Sequence, residues 1–142
     1  DRGRSAVKPD FDGRVALLKF YPSMPATLVD HLSASGVRGI VVEGTGMGHV
    51  NSENVAALRR YTSKGGVAFM TSQCIDGRVD MNVYDTGRDL IEAGVVPLED
   101  MLAETALVKA MWALGNSKSS DEVVKLMSQN LAGEMTTRLF PG

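Results

Sequence analysis

Five residues on one short loop have the types and spacing to do chemistry: Gly44, Thr45, Gly46, Gly48 and His49, within the run Gly-Thr-Gly-Met-Gly-His. Glycines on alternate positions open backbone angles closed to other residues and let a ligand or a neighbouring backbone come close. His49 is either an imidazole held by a backbone carbonyl or a hydrogen-bonding group aimed into a cleft. Thr45 and Thr71 are nucleophiles only with an activating base, and the sequence identifies none. Cys74 needs the same help and a lowered pKa; with no obvious histidine partner it reads as inert. His31, beside Asp30, reads as a surface residue. Two distant histidines and one cysteine do not make a metal site. A second polar cluster follows at Arg78, Asp80, Asn82, Tyr84, Asp85 and Arg88. It is either a solvated loop or a segment that reaches across an interface. The stretch 72–84 that holds most of it is long for a compact domain, and long loops are more often functional.

The glycine loop fails two well-known tests. A dinucleotide fingerprint needs a third glycine where His49 stands and an acidic residue about 20 positions on; position 64 is Lys64, although Asp76 lies further along. A Walker A loop needs Gly-Lys-Ser/Thr after the glycines, and none is there. Two readings stay open: a tight turn between strand and helix, or a loop that touches a ligand or a neighbouring chain.

The elements that must position this loop can be read in order. Residues 1–13 are polar, without period, and read as a linker or interdomain arm. Residues 14–142 form the domain proper. Strands are expected at 14–20, 39–43, 67–70 and 95–97, each a short apolar run bounded by turn signals. Pro97 predicts that the last of these is an edge strand. Helices are expected between them: one started by Pro25 and stopped by Gly36, with Met24, Leu28 and Leu32 on one face; one over 52–64, capped by Asn51 or Ser52 and ended by Gly65 and Gly66; and one over 86–93 closed by Gly94. Asp100 is expected to cap a further helix reaching Leu114, ended by Gly115. Its broad apolar side, Ala106, Leu107, Ala110, Met111, Ala113 and Leu114, implies packing against a sheet and a second surface. Ser119 and Glu122 have capping-box spacing before a last helix carrying Val123, Met127 and Leu131. The eight methionines and Trp112 read as packing residues.

Strand–helix alternation without hairpin signals predicts a three-layer α/β/α, flavodoxin-like fold with about four parallel strands and right-handed crossovers. In such a sheet all strand C-termini share one edge. Tyr21 and Ser23, residues 43–49 and residues 72–74 converge there, and that edge is where ligands bind.

Composition narrows the classes of function. The chain has 142 residues, 44% hydrophobic and 23% charged, the make-up of one globular domain. A net charge of −2 gives no basic footprint for tRNA or DNA. No apolar run approaches the roughly 18 residues of a membrane span. One cysteine excludes an internal disulfide and fits a reducing, cytoplasmic setting. No signal peptide is visible, and the chain does not begin with Met, which points to processing or to a longer parent.

Several segments together resemble the asparaginase-like amidohydrolases. They are residues 39–50, Gly-Ile-Val-Val-Glu-Gly-Thr-Gly-Met-Gly-His-Val; residues 70–84, Met-Thr-Ser-Gln-Cys-Ile-Asp-Gly-Arg-Val-Asp-Met-Asn-Val-Tyr; residues 86–97, Thr-Gly-Arg-Asp-Leu-Ile-Glu-Ala-Gly-Val-Val-Pro; residues 104–115, Glu-Thr-Ala-Leu-Val-Lys-Ala-Met-Trp-Ala-Leu-Gly; and residues 131–134, Leu-Ala-Gly-Glu. The resemblance covers roughly 14–138 and is strongest to the branch that supplies ammonia to tRNA-dependent amidotransferases.

That resemblance implies a full-length subunit that hydrolyses glutamine. It implies an E subunit as partner, which binds tRNA, activates Glu-tRNA(Gln) with ATP and Mg²⁺, and uses the ammonia to make Gln-tRNA(Gln). It also implies that the nucleophilic Thr and its Thr-Asp-Lys group belong to an N-terminal half that these residues do not include. The present domain would then bind no cofactor, be inactive alone, pair with its own N-terminal domain and with a second copy, and meet tRNA only indirectly. It would lend Gly44, Thr45, Gly46, Gly48 and His49 to a neighbouring subunit's site, with Asn82 and Tyr84 near a second lent segment. The alternatives are the C-terminal domain of an L-asparaginase, a stand-alone small-ligand-binding α/β module, and a nicotinamide enzyme.

Overall fold

A computed structural model describes residues 10–21, 23–44, 51–72, 85–98 and 101–129. Four strands form one parallel sheet: β1 (Val15–Lys19), β2 (Gly39–Gly44), β3 (Val67–Ser72) and β4 (Val95–Pro97), in the order β1-β2-β3-β4. The helices are α1 (Thr27–Ala34), α2 (Ser52–Ser63), α3 (Asp85–Glu92), α4 (Ala103–Gly115) and α5 (Ser120–Ser128). The expected parallel α/β architecture is therefore present. Pro97 lies on an outer strand, as its missing N–H requires.

Each strand moves one place along the sheet. Right-handed crossovers that all step the same way must lie on the same face. Accordingly Val29 of α1, Val55, Leu58 and Tyr61 of α2, and Leu90 of α3 pack with Ile40, Val42, Ala68, Met70 and Val95. The opposite side of the same strands, Val41, Val67 and Phe69, is closed by the two helices after β4. Ala106, Ala110, Ala113 and Leu114 of α4 and Val123 and Met127 of α5 lie on it. Both faces of the sheet are covered, which is why its strands are continuous apolar runs rather than alternating ones. The small residues of α4 let its axis come near the sheet, and its second surface is α5.

Local signals explain most element ends. Asn51 caps α2, its Oδ1 accepting from the Asn54 backbone N–H at 2.9 Å. Gly36 and Gly94 follow α1 and α3 with φ of +87° and +91°, the left-handed stop that favours glycine. Ser119 caps α5 by accepting from Glu122 N–H at 3.2 Å. The carboxylate of Glu122 returns one residue earlier than a capping box would, to Lys118 N–H at 2.6 Å.

Four expectations shift. Leu28 is 38% exposed, and Val29, fully buried, takes the core position beside Leu32. Met24 precedes the first helical residue, so a helical period counted from it does not hold. The residue at the head of α4 is Leu102, in extended backbone with no side-chain cap bond; Asp100 lies outside the described residues, as does Leu131. Gly115 is still helical, and its role is close approach. A Cβ there would stand 2.5 Å from the Asp10 carbonyl oxygen.

That contact belongs to residues 10–13, which are tied to the end of α4. Asp12 N–H donates to Met111 O at 3.0 Å, and Asn116 Nδ2 donates to Asp10 O at 2.9 Å. The Asp12 carboxylate bridges Arg14, at 2.9 Å, and Arg38, at 3.0 Å. The Arg14 guanidinium first, and Arg38 with it, hold the Asp12 carboxyl well below the usual carboxylate range.

Candidate functional site at the carboxyl end of the sheet

The parallel register brings the ends of three strands side by side. Lys19 pairs with Glu43, Glu43 with Thr71, and Gly44 with Ser72. Beyond them Phe20 N–H donates to Glu43 O at 2.8 Å, so the chain leaving β1 stays against the end of β2. The strand order contains no reversal. This rim is therefore set by strand direction alone, without the crevice that a change of winding creates.

Two segments frame the rim on its α1–α2 side. After β1 the chain makes a tight turn, with Met24 N–H donating to Tyr21 O at 3.1 Å. Ser23 in that turn has φ +71°, an uncommon angle for a residue with a side chain. Tyr21, 52% exposed, and Ser23 face outward while Met24 is buried. On the other side α2 begins at its Asn51 cap, with Glu53 in the first turn where the helix dipole favours a negative charge.

Asn54 joins these two segments. It is fully buried, and its Nδ2 donates to Met24 O at 3.1 Å and to Asn51 Oδ1 at 3.0 Å. Sequence reasoning missed it. The available signal was its position: an amide directly before Val55 on the stripe that continues through Leu58 and Tyr61, where an apolar residue is expected.

Among the sequence candidates, Gly44 ends β2 at this rim. Thr45, Gly46, Gly48 and His49 lie in the connection that leaves from it, outside the described residues, as do Cys74, Asn82 and Tyr84. The side chains of Asp85 and Arg88 are outside them too. Thr71 is fully buried, and its hydroxyl turns to the Val42 carbonyl at 3.5 Å, a backbone partner that does not activate it. His31 is on the surface. Among the described residues no three His, Cys, Asp or Glu side chains come together as a metal-binding cluster. None of the described helices is long and apolar enough to cross a membrane.

Relatives share both this sequence and this fold. The chain is 54% identical over 125 residues to the D subunit of the glutamyl-tRNA(Gln) amidotransferase of Sulfolobus acidocaldarius, covering 88% of this chain and 28% of the relative. It is 49% identical over 139 residues to the protein of the same name from Pyrococcus furiosus, covering 98% of this chain and 32% of that one. The chain thus spans roughly three-tenths of the length of these curated relatives. Among solved structures, the thermostable L-asparaginase from Thermococcus kodakarensis superposes with a TM-score of 0.82 at 32% identity, covering 89% of this chain and 39% of that one. L-asparaginase I from Vibrio cholerae does so at 0.78 and 31%, covering 87% and 38%. The profile of the glutaminase/asparaginase C-terminal domain matches residues 14–127. By that match, and by a parallel four-stranded sheet with both faces covered, the chain belongs to the glutaminase/asparaginase C-terminal domain family.

Proposed function

We propose that this chain is the C-terminal domain of the ammonia-releasing subunit of a tRNA-dependent amidotransferase. One observation carries the reading: identity of 54% and 49% to proteins named as the D subunit of such an amidotransferase, over 88% and 98% of this chain, against 32% to an L-asparaginase. The full-length subunit hydrolyses glutamine. The E subunit, acting in the cytoplasm with ATP and Mg²⁺, places the ammonia on Glu-tRNA(Gln).

In this reading the domain supplies a rim and leaves the reacting hydroxyl to the N-terminal half. Thr71, the one candidate hydroxyl among the described residues, is buried and turned to the Val42 carbonyl, in keeping with that division. Gly44, Thr45, Gly46, Gly48 and His49, with Asn82 and Tyr84, complete a site shared with a second copy. The domain itself holds no cofactor and touches tRNA only through the complex.

The structural likeness to L-asparaginases favours a second reading, the C-terminal domain of an asparaginase. One experiment separates the two. The full-length subunit is assayed for ammonia release from glutamine and from asparagine, with and without its E partner and Glu-tRNA(Gln), beside the 142-residue chain alone. The expected result is a glutaminase stimulated by the partner and tRNA, and no turnover by the isolated domain. Preference for asparagine without response to the partner overturns the first reading, and turnover by the isolated domain at a rate near that of the whole subunit overturns both.

A further inference from the structure

We propose that the outer edge of β1, with the apolar side of α4 beside it, is a self-association surface. A second copy of this chain pairs its own β1 antiparallel to it, across a twofold axis at Leu17. The two sheets become one, and the two α4 helices lie side by side on the same face of it. The inference goes beyond the proposed function and stands on the geometry of the sheet.

The two edges of the sheet are unlike. β4 is short, Val95–Pro97, and its proline lacks an N–H to offer a further strand. β1 runs over Val15–Lys19 without proline or glycine. Arg14 O accepts from the N–H groups of Arg38 and Gly39, at 2.7 and 3.2 Å, and Phe20 N–H donates to Glu43 O at 2.8 Å. Arg14 and Phe20 thus turn their backbone to β2, and in a parallel ladder Ala16 and Leu18 between them do the same. The N–H and C=O groups of Val15, Leu17 and Lys19 point the other way, where no strand meets them among the described residues. Such a row of backbone groups is a template for another strand.

The side chains say which strand fits. Val15 packs with the α4 side of the core, so by alternation Leu17 and Lys19 lie on that face too. Leu17 is 37% exposed there. On α4, Val108, Met111 and Gly115 share one side. That side faces the arm leading into β1: Asp12 N–H donates to Met111 O at 3.0 Å, and a Cβ on Gly115 would strike Asp10. Val108 and Phe11 of the arm are both 54% exposed, so apolar surface flanks the open strand edge.

A second copy complements this edge when it runs antiparallel. Leu17 then meets Leu17 and Val15 meets Lys19, each pair exchanging N–H···O=C bonds in both directions. A parallel copy would set Lys19 beside Lys19; the antiparallel one carries Lys19 to the end of the other copy where Asp10 is exposed. A twofold axis normal to the sheet keeps both α4 helices on one face. Since α4 packs over β1 and β2, a strand spacing of about 4.8 Å puts the two helix axes about 10 Å apart, the distance at which helices pack. Val108 and Met111 of both copies close over the Leu17 pair, the self-complementary contact that a twofold requires.

The test uses the full-length subunit in solution, with and without its E partner. Leu17→Cys sets two thiols across the axis at a Cα separation of about 5.5 Å, within disulfide range. Under mild oxidation it is expected to link subunits in pairs about tenfold faster than Leu28→Cys, whose site on α1 is equally open at 38% exposure. Leu17→Lys opposes two like charges at the axis and is expected to halve the mass of the assembly in sedimentation. Unchanged mass in a folded Leu17→Lys protein, or linking by Leu17→Cys no faster than by Leu28→Cys, overturns the proposal. So does a Leu17→Cys thiol that neither links nor takes up a maleimide, because the rest of the subunit then covers the edge, and so does a link to the E subunit in place of a second copy. The cross-linking rate decides the matter where Leu17→Lys does not fold. Wild-type protein that hydrolyses no glutamine overturns the proposed function instead and leaves the pairing to be decided by the mass and the cross-link.

Discussion

The two rims of the sheet are built differently. At the amino end, ties cross between almost every neighbouring segment. Asp12 bridges two arginines, Asn116 holds Asp10, and Ser120 Oγ donates to Gly65 O at 3.0 Å. Tyr61 donates its hydroxyl to Val37 O at 2.9 Å, and its ring lies so close over Gly66 that a Cβ there would stand 2.4 Å from it. Burial pushes the Tyr61 phenol above its ordinary pKa, so it remains a donor. At the carboxyl end the ties among the described residues are backbone bonds such as Phe20 N–H to Glu43 O and the Asn54 amide, which donates to Met24 O and to Asn51 Oδ1. The contrast teaches a division of labour. Among the described residues, one rim is secured by charged and side-chain ties, and the other by strand register and the turn that Asn54 holds.

Variants at each rim can break this contrast. The largest effect is expected from Gly115→Val, which drives a side chain into the backbone of residue 10. Overpacking of this kind costs about 2–3 kcal/mol. Denaturant unfolding of the domain should show that loss, with glutamine kinetics of the full-length subunit unchanged. A loss below about 1 kcal/mol would mean that the arm moves aside freely. Next is Tyr61→Phe, which leaves the Val37 carbonyl without its donor and should cost about 1–2 kcal/mol by the same measurement. A change in KM would blur the two rims.

Asn51→Ala removes the α2 cap and should cost about 1 kcal/mol. Here the prediction reverses: kcat/KM falls several-fold although the stability loss is smaller than at Gly115. Equal kinetics in Asn51→Ala and wild type would make the carboxyl rim as purely structural as the other. The smallest effect is expected from Asp12→Asn, under about 1 kcal/mol near pH 7 because both arginines are partly exposed. Its signature is in pH. The folded-state pKa of Asp12 lies below the unfolded value. The stabilisation is therefore present above the unfolded pKa, about 3.9, and is lost as pH falls toward the folded one. The gap between wild type and variant should hold above about pH 5 and narrow steadily as pH falls below about 3.9 toward the folded pKa; a constant gap would remove Asp12 from the set of ties.

The strands were legible because each is an apolar run with turn residues on both sides, and their shared direction followed from the helices between them. That was enough to place Tyr21, Glu43, Gly44 and Ser72 at one rim. What escaped was tertiary. Leu28 and Val29 compete for one core position, and only the start of α1 at Thr27 decides between them. Gly115 marked the right place for a different reason, since the backbone that crowds it comes from more than a hundred positions earlier. The docking of residues 10–13 could not be seen in a stretch that reads as polar and aperiodic. Asn54 looked like one more helix residue, because hydrogen bonding to Met24 depends on a fold that pattern alone does not supply. Of the site, the anchors were legible from topology, while the expected contributions of Thr45, Gly46, Gly48, His49, Asn82 and Tyr84 rest on family resemblance.

The stepwise strand order has a consequence for how the domain comes into being. Everything through β4 can assemble from neighbours in the chain, yet it leaves Val41, Val67 and Phe69 bare on the far side of the sheet. It is α4, packing back across β2 and β1, and α5, against β3, that hide them. On a ribosome, that half-finished surface would stay exposed and sticky until the residues of α4 and α5 had been synthesised and released from the exit tunnel.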